Sequence, residues 1–326
     1  MDCNQATTDT PRWLFFWAML TVCAAFPLLF LGAEVTTKGV GMVDPRGLRT
    51  PWVFVQGVLE DRGLGWLIEH GHRLAGWTVG ACVIVLAAGL GLCERRRWVR
   101  ILGLTALLGV ILQGVLGIFR IELNEIMGRT LAWVHGCFAQ LVFALLVSVA
   151  VVSSRWWKRL GNREDSASDG AAPVSLRGWS LLTAILIYLQ LVLGGLVRHM
   201  DLALAARGHL LLAFAVVAAV LWLAHLALSS EQRDRRGAPV KLLLVLVSLQ
   251  VLLGVETWLS KFFTPAAPWT QLQPLAVHHE LFRSLHYVLG AGIFATAITI
   301  ALVAHRHAAW NVKPALAPEK RLEGVL

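Results

Sequence analysis

Residues 66–77 read WLIEHGHRLAGW, which crowds Glu69, His70, His72 and Arg73 into five positions directly ahead of a long apolar run. A carboxylate and an imidazole three residues apart share a helix face. Together they can ligate a metal, move protons or hold a water beside a reacting carbon. Three more histidines precede or open apolar runs in the same way: His135 in AWVHGCFAQL, His209 in ARGHLLLAFA and His286 in SLHYVLGAG. An ionisable side chain in hydrocarbon is costly unless partnered, so four at matched depth point to ligation more than to packing. Two helices that each present a histidine to a shared bundle centre can hold a haem iron from both faces, and two such pairs make two sites. The small residues that follow, among them Gly76, Gly80, Gly136 and Gly290, leave room for a flat macrocycle, though small residues also serve helix packing. Zinc fits less well, because the loops carry no cysteine pairs and no tight His and carboxylate cluster occurs beyond the opening segment.

Other candidates have competing roles. Arg73 and Arg198 could meet haem propionates or anchor the membrane interface. Glu69 could be a catalytic carboxylate or a residue favoured by the helix macrodipole. His70 points about 100° around the helix from Glu69. His199, His278 and His279 read as outer-loop residues, and His225, His305 and His307 as cytoplasmic-side ones. All six are expected at the interface, with His278 and His279 the leading exceptions because they lie about two turns before His286.

The elements that must position these groups are membrane helices. The chain has 326 residues, 57% hydrophobic and 15% charged, and its apolar residues come in blocks of about 20, enough to cross a hydrocarbon core. Eight spans are expected, at roughly 13–34, 72–93, 101–120, 131–152, 178–198, 206–228, 240–260 and 284–304. The fold class is therefore an all-α membrane protein. The odd spans share LQGVLG (112–117), LQLVLGG (189–195) and LQVLLG (249–254). Gln113, Gln190 and Gln250 need partners in hydrocarbon, and helix-packing glue is the favoured reading for them. The even spans share one histidine each, in the first turn or two. This recurrence predicts two pseudo-symmetric four-helix bundles, residues 1–152 and 178–326, joined by a polar linker at 153–177.

The net charge of +9 sits in ERRRWVR (94–100), RWWKRLGNR (155–163) and EQRDRRGAPVK (231–241), so it sets topology and does not indicate nucleic acid. Loops 121–130 and 199–206 are nearly free of Lys and Arg, which puts both termini in the cytoplasm. Cys3, Cys23, Cys82, Cys93 and Cys137 then fall in spans or on the cytoplasmic side, leaving no outer-loop disulfide. The first apolar block lacks a basic leader and is long enough to span, which argues against a cleavable signal peptide.

With eight spans, a duplication and EHGHR at 69–73, the chain resembles the haem A synthase family. WVHG, GHLLLAF and LHYVLG supply the other histidines, LVRH (196–199) ends span five, and GAEVTTKGVGM (32–42) follows span one in the manner of that family. The resemblance implies oxidation of the C8 methyl of haem O to the formyl group of haem A, with water as oxygen source. It implies that His72 and His135 hold the substrate haem O, that His209 and His286 hold a permanent haem b relaying electrons, and that Glu69 is catalytic. It further implies a bacterial-type inner membrane, surrounding lipid, a haem O synthase and a terminal oxidase assembly system as partners, with homo-oligomerisation open. One departure stands out: 35–68 has no cysteine pair and reads VDPRGLRTPWVF where many members carry one. The rival reading is a non-catalytic di-haem electron carrier, for which four histidines suffice but Glu69 has no use, Ala206 standing at the equivalent place in the second half. A transporter with histidine relays would place its polar groups nearer the midplane.

Overall fold

In hydrocarbon every backbone N–H and C=O must be satisfied within the protein, and long apolar runs do this as helices. The computed structural model describes residues 10–44, 62–162, 173–229, 233–262 and 275–306, all helix and short connections. The helices are α1 (Arg12–Thr37), α2 (Leu64–Cys93), α3 (Arg97–Glu122), α4 (Asn124–Ser153), α5 (Arg155–Asn162), α6 (Val174–His199), α7 (Ala203–Leu228), α8 (Arg233–Phe262) and α9 (Leu275–His305). Eight of them, all but α5, are long and apolar enough to cross a membrane. The chain is a multi-pass membrane protein.

Several boundaries differ from expectation. Helix α2 starts at Leu64, well before the predicted 72, because Gly63 adopts φ 84° and turns the chain into the helix there. Hydropathy marks where a segment enters hydrocarbon, whereas backbone geometry marks where the helix begins. His72 therefore lies beyond the second turn of α2, and His135 and His286 sit deeper still in α4 and α9. The predicted linker holds the short helix α5, whose Trp157 and Leu160 are buried; residues 163–172 and the cysteine-free stretch 45–61 lie outside the described residues. At the same end of the molecule Cys93 is disulfide-bonded, while Cys23, Cys82 and Cys137 are free.

Helices α1, α2, α3 and α4 close one ring of contacts, and α6, α7, α8 and α9 close another. This arrangement is compatible with the expected pair of bundles. The rings meet where α9 packs on α1 and α4, and where α4 packs on α6. Accordingly α4 and α9 are the most enclosed spans, 61% and 67% buried over their most apolar stretch, while α3 and α8 are 17% buried and turn leucines such as Leu104, Leu108, Leu249 and Leu252 outward. At the histidine end the rings are laced together by Thr37 Oγ1 to Ser284 Oγ at 3.1 Å and by Lys38 Nζ to Glu280 at 2.5 Å.

Candidate functional site

The repeated glutamines and glycines of the odd spans turn out to form seats for the histidines. Gln113 Nε2 donates to the backbone carbonyl of His135 at 3.1 Å, Gln190 to that of His209 at 2.9 Å, and Gln250 to that of His286 at 3.0 Å. One turn further along each odd helix stands a glycine under the imidazole. A methyl carbon placed there would lie 3.4 Å from His135 Cε1 at Gly117, 2.9 Å from His209 Cε1 at Gly194 and 3.1 Å from His286 Cε1 at Gly254. Span one has the same seat, with Leu28 in the glutamine position and Gly32 beneath His72, where a methyl carbon would lie 2.8 Å from Cε1. The glutamines thus glue helices as expected, and they also fix the segment that carries each ligand. The fourth seat is legible in PLLFLG (27–32) once LQGVLG is aligned with it.

The seats also set tautomers. His72 Nδ1 lies 3.1 Å from the Leu28 carbonyl, and His209 Nδ1 lies 3.1 Å from the Gln190 carbonyl. A carbonyl only accepts, so each Nδ1 carries the proton and Nε2 keeps the lone pair a metal requires. The Nδ1 atoms of His135 and His286 are buried without a partner. The rings of His209 and His286 stand with centroids 6.4 Å apart at 74°. An iron held between two imidazoles, with metal to nitrogen bonds of about 2 Å and about 1 Å more to each ring centre, needs about 6 Å. The pair fits a six-coordinate haem iron. The amides of Gln190 and Gln250 approach the two Nε2 atoms at 3.4 and 3.3 Å, a contact that a metal would displace. His135 lies within electrostatic reach of His72, Arg120 and His199. Among the described residues no three His, Cys, Asp or Glu side chains gather as a closed metal cage.

Glu69 and Arg73 are placed differently from a loose propionate clamp. Arg73 Nη2 donates to Glu69 Oε1 at 2.8 Å and to the Asp44 carbonyl at 2.6 Å, while the Asp44 N–H donates to Glu69 Oε2 at 2.8 Å. Glu69 is 3% exposed and Arg73 9%, an i,i+4 pair of the kind a helix presents on one face. Beside them His70 stacks on Trp66 with centroids 3.8 Å apart, and its Nε2 lies 3.3 Å from Asp44 Oδ2. Asp44 and His70 were not expected here. The one available signal was the EHGHR cluster itself, since Asp44 comes from a loop whose register sequence does not fix.

Arg198 donates to the Ala33 carbonyl and to Thr37 Oγ1, both at 2.6 Å, and lies over the Tyr287 ring at 5.4 Å. It thereby ties α6 to α1 across the two rings. His199, expected at the interface, instead lines a cavity of about 440 Å³ where the rings meet, together with Tyr287, Cys137 and His286. It sits at the end of α6 beside Gly136, so burial by α4 overrides its place in a polar loop. Tyr287 follows His286 in sequence, and its hydroxyl donates at 3.1 Å to the carbonyl of Gly136, which follows His135. Two residues missed by sequence reasoning, Arg120 and Tyr287, belong to this region; Arg120 ends span three much as Arg198 ends span five, which was a usable signal. His279 pairs with Glu256 at 3.0 Å, and the side chain of His278 lies outside the described residues.

Residues 59–210 match the COX15-CtaA family model, described as cytochrome oxidase assembly protein. The matched stretch is just under half of the chain, which is similar there to that family. It is 24% identical over 199 residues to the Heme A synthase of Alkalihalophilus pseudofirmus, covering 60% of this chain and 63% of that one. It is 26% identical over 194 residues to the Heme A synthase of Shouchella clausii, covering 58% of this chain and 60% of that one. The match thus spans less than two thirds of either relative. No solved structure matches. The family match takes in EHGHR, WVHG and GH at 208–209, so three of the four histidines lie inside it and His286 lies beyond.

Proposed function

We propose that this chain is a haem A synthase, oxidising the C8 methyl of haem O to a formyl group. The overall change is R–CH3 + H2O → R–CHO + 4 H+ + 4 e−, with the electrons passing to an acceptor in the membrane. In this reading His72 and His135 hold the substrate haem O, and His209 and His286 hold a resident haem b. Haem b, when bound, supplies a one-electron relay.

The protein's own part follows from its residues. The Nδ1 bond of His72 to Leu28 presets the ligating nitrogen. Glu69 keeps lone pairs beyond those used by Arg73 and the Asp44 N–H, so its carboxylate can orient a water and take its proton. Arg73 holds that carboxylate in one rotamer, and Arg198 fixes the outer end of α6 against α1. The observation that carries the reading is an asymmetry. Each of the four histidines stands over a seat glycine, yet among the described residues only the first half carries, one turn before its α2 histidine, a buried Glu, Arg and Asp network; Ala206 and Leu210 stand at the matching places of α7. A pure electron carrier has no use for such a network.

In this reading the protein sits in a bacterial-type inner membrane with both termini in the cytoplasm, an orientation the loop charges support, with a haem O synthase supplying substrate and a terminal oxidase assembly system receiving product. The test is haem extraction and mass analysis of protein produced beside a source of haem O, wild type against Glu69→Ala. Haem A in the wild type, replaced by haem O or a partly oxidised form in the variant, is the expected outcome. Haem b alone in both proteins would establish the di-haem carrier instead.

A further inference from the structure

The cavity of about 440 Å³ between the rings is lined from α1, α4, α6, α8 and α9. It reaches from Thr37 and Arg198, at the ends of α1 and α6, to Gln140, which stands about 24 Å along α4 from its start. Gln140 is 1% exposed; its amide nitrogen faces the Tyr287 hydroxyl, and its Oε1 has no hydrogen-bond partner. The Tyr287 hydroxyl is its neighbour, but that hydroxyl gives its proton to Gly136, so the Gln140 carbonyl oxygen is left with no donor. Thr257 Oγ1 and Arg283 Nε, also on the wall, are buried and unpaired as well. Three unmet polar groups around one space this size do not describe a dry void, because empty cavities are apolar and polar, roomy ones hold water. In a membrane there is no alternative partner, lipid chains offering neither donors nor acceptors.

We infer that this chamber is a water-filled inlet running from the outer surface to the middle of the protein between its two histidine sites. It has room for on the order of ten waters. Its wall carries Arg198 and Arg283, so it admits anions more readily than cations. As a role, which rests on the synthase reading, the inlet delivers the one water the reaction consumes. Hydration itself does not depend on that reading.

Cys137 lines the chamber and is free, which makes it a built-in probe. The experiment uses full-length, haem-loaded protein carrying Cys23→Ala and Cys82→Ala in sealed vesicles with the histidine end outward. Cys137 modification is followed by mass spectrometry with a small anionic methanethiosulfonate, with a cationic one of the same size, and with membrane-permeant N-ethylmaleimide. The inlet predicts modification by the anionic reagent at least about tenfold faster than by the cationic one. Gln140→Leu should slow it by a similar factor. Reaction with N-ethylmaleimide alone would mean a dry cavity and overturn the inference. Reaction in haem-free protein with full protection after loading would mean that the macrocycle fills the space, which overturns it equally. Should Gln140→Leu fail to fold, radiolytic hydroxyl labelling of Tyr287 in the wild type decides, since only ordered water beside the ring yields labelling. Product analysis of the same preparation reports on the synthase reading separately.

Discussion

Replacing the seat glycines with alanine tests whether the imidazoles are held where a haem iron needs them. At Gly194 the new methyl would lie 2.9 Å from His209 Cε1, whereas carbon atoms rest about 3.5–4.0 Å apart. The ring or the helix must retreat by roughly 0.6–1.1 Å, several times the roughly 0.2 Å tolerance of a metal to ligand bond. Overpacking of this kind costs about 1–3 kcal/mol, which lowers the affinity for a haem held there roughly tenfold to a hundredfold. Helix propensity runs the other way, since alanine favours a helix over glycine by about 0.5–1 kcal/mol. A loss of haem therefore cannot be blamed on a weakened helix. At Gly254 the contact is 3.1 Å, so Gly254→Ala should weaken binding less than Gly194→Ala. The same logic ranks the first half, with Gly32 at 2.8 Å ahead of Gly117 at 3.4 Å, where alanine should be nearly neutral. The assay is haem titration of purified protein, read by the low-spin spectrum of bis-histidine ligation and by occupancy. Wild-type affinity in Gly194→Ala, or an effect of Gly117→Ala as large as that of Gly32→Ala, would refute the seat.

Three further outcomes follow from local contacts. Gln250→Leu removes the amide donor to the His286 carbonyl and should lower stability by about 1 kcal/mol, seen as a fall in Tm. The Lys38 ammonium is held above its ordinary pKa of 10.5 chiefly by its hydrogen bond to Glu280, against the opposing effect of partial burial, with Glu34 adding. Its contribution to joining α1 and α9 is therefore complete below pH 10.5 and lost only as pH rises through the raised value, so Lys38→Met should reduce Tm equally at pH 6 and pH 9. Burial pushes the Glu94 carboxyl up, but hydrogen bonds from Arg96 and Thr10 outweigh it and hold the group below 4.5. That stability is present above pH 4.5 and lost as pH falls through the depressed value, so Glu94→Gln should cost about 2 kcal/mol at pH 7 and clearly less at pH 3.5, measured by thermal melting.

The spans, the four histidines and the repeated glutamines were legible because each depends on a short-range pattern: hydropathy over 20 residues, or a polar group every fourth place in an apolar run. The partners of those groups were less so. Gln190 and His209 are only a helix and a turn apart, and their pairing could have been inferred from the duplicated motif. Asp44 meeting Glu69 and His70, or Arg198 meeting Ala33 and Thr37, depends on loop path and on how the two rings dock, neither of which leaves a periodic trace. His199 shows the same limit. Its place after a helix end reads as interface, and only the packing of α4 against α6 makes it a cavity wall.

The asymmetry between the halves gives the sharpest remaining experiment. Ala206 is 7% exposed and occupies on α7 the place that Glu69 holds on α2, while Leu210, one turn later, is 43% exposed. Ala206→Glu would bury a carboxylate that nothing waits to receive, because this half has no counterpart of Arg73 at position 210. Leaving a buried charge unpaired costs about 3–5 kcal/mol, so the single variant should melt markedly lower or lose haem b. Adding Leu210→Arg recreates the i,i+4 geometry of Glu69 and Arg73 and should recover part of that loss, but not all, since the first half also supplies a backbone N–H from Asp44. Neither variant should oxidise haem at the second site. A single variant with an unchanged Tm would mean that the surroundings of His209 tolerate a carboxylate freely. In that case the Glu69 network would owe its form to local packing, and the assignment of chemistry to the first half would lose its structural support.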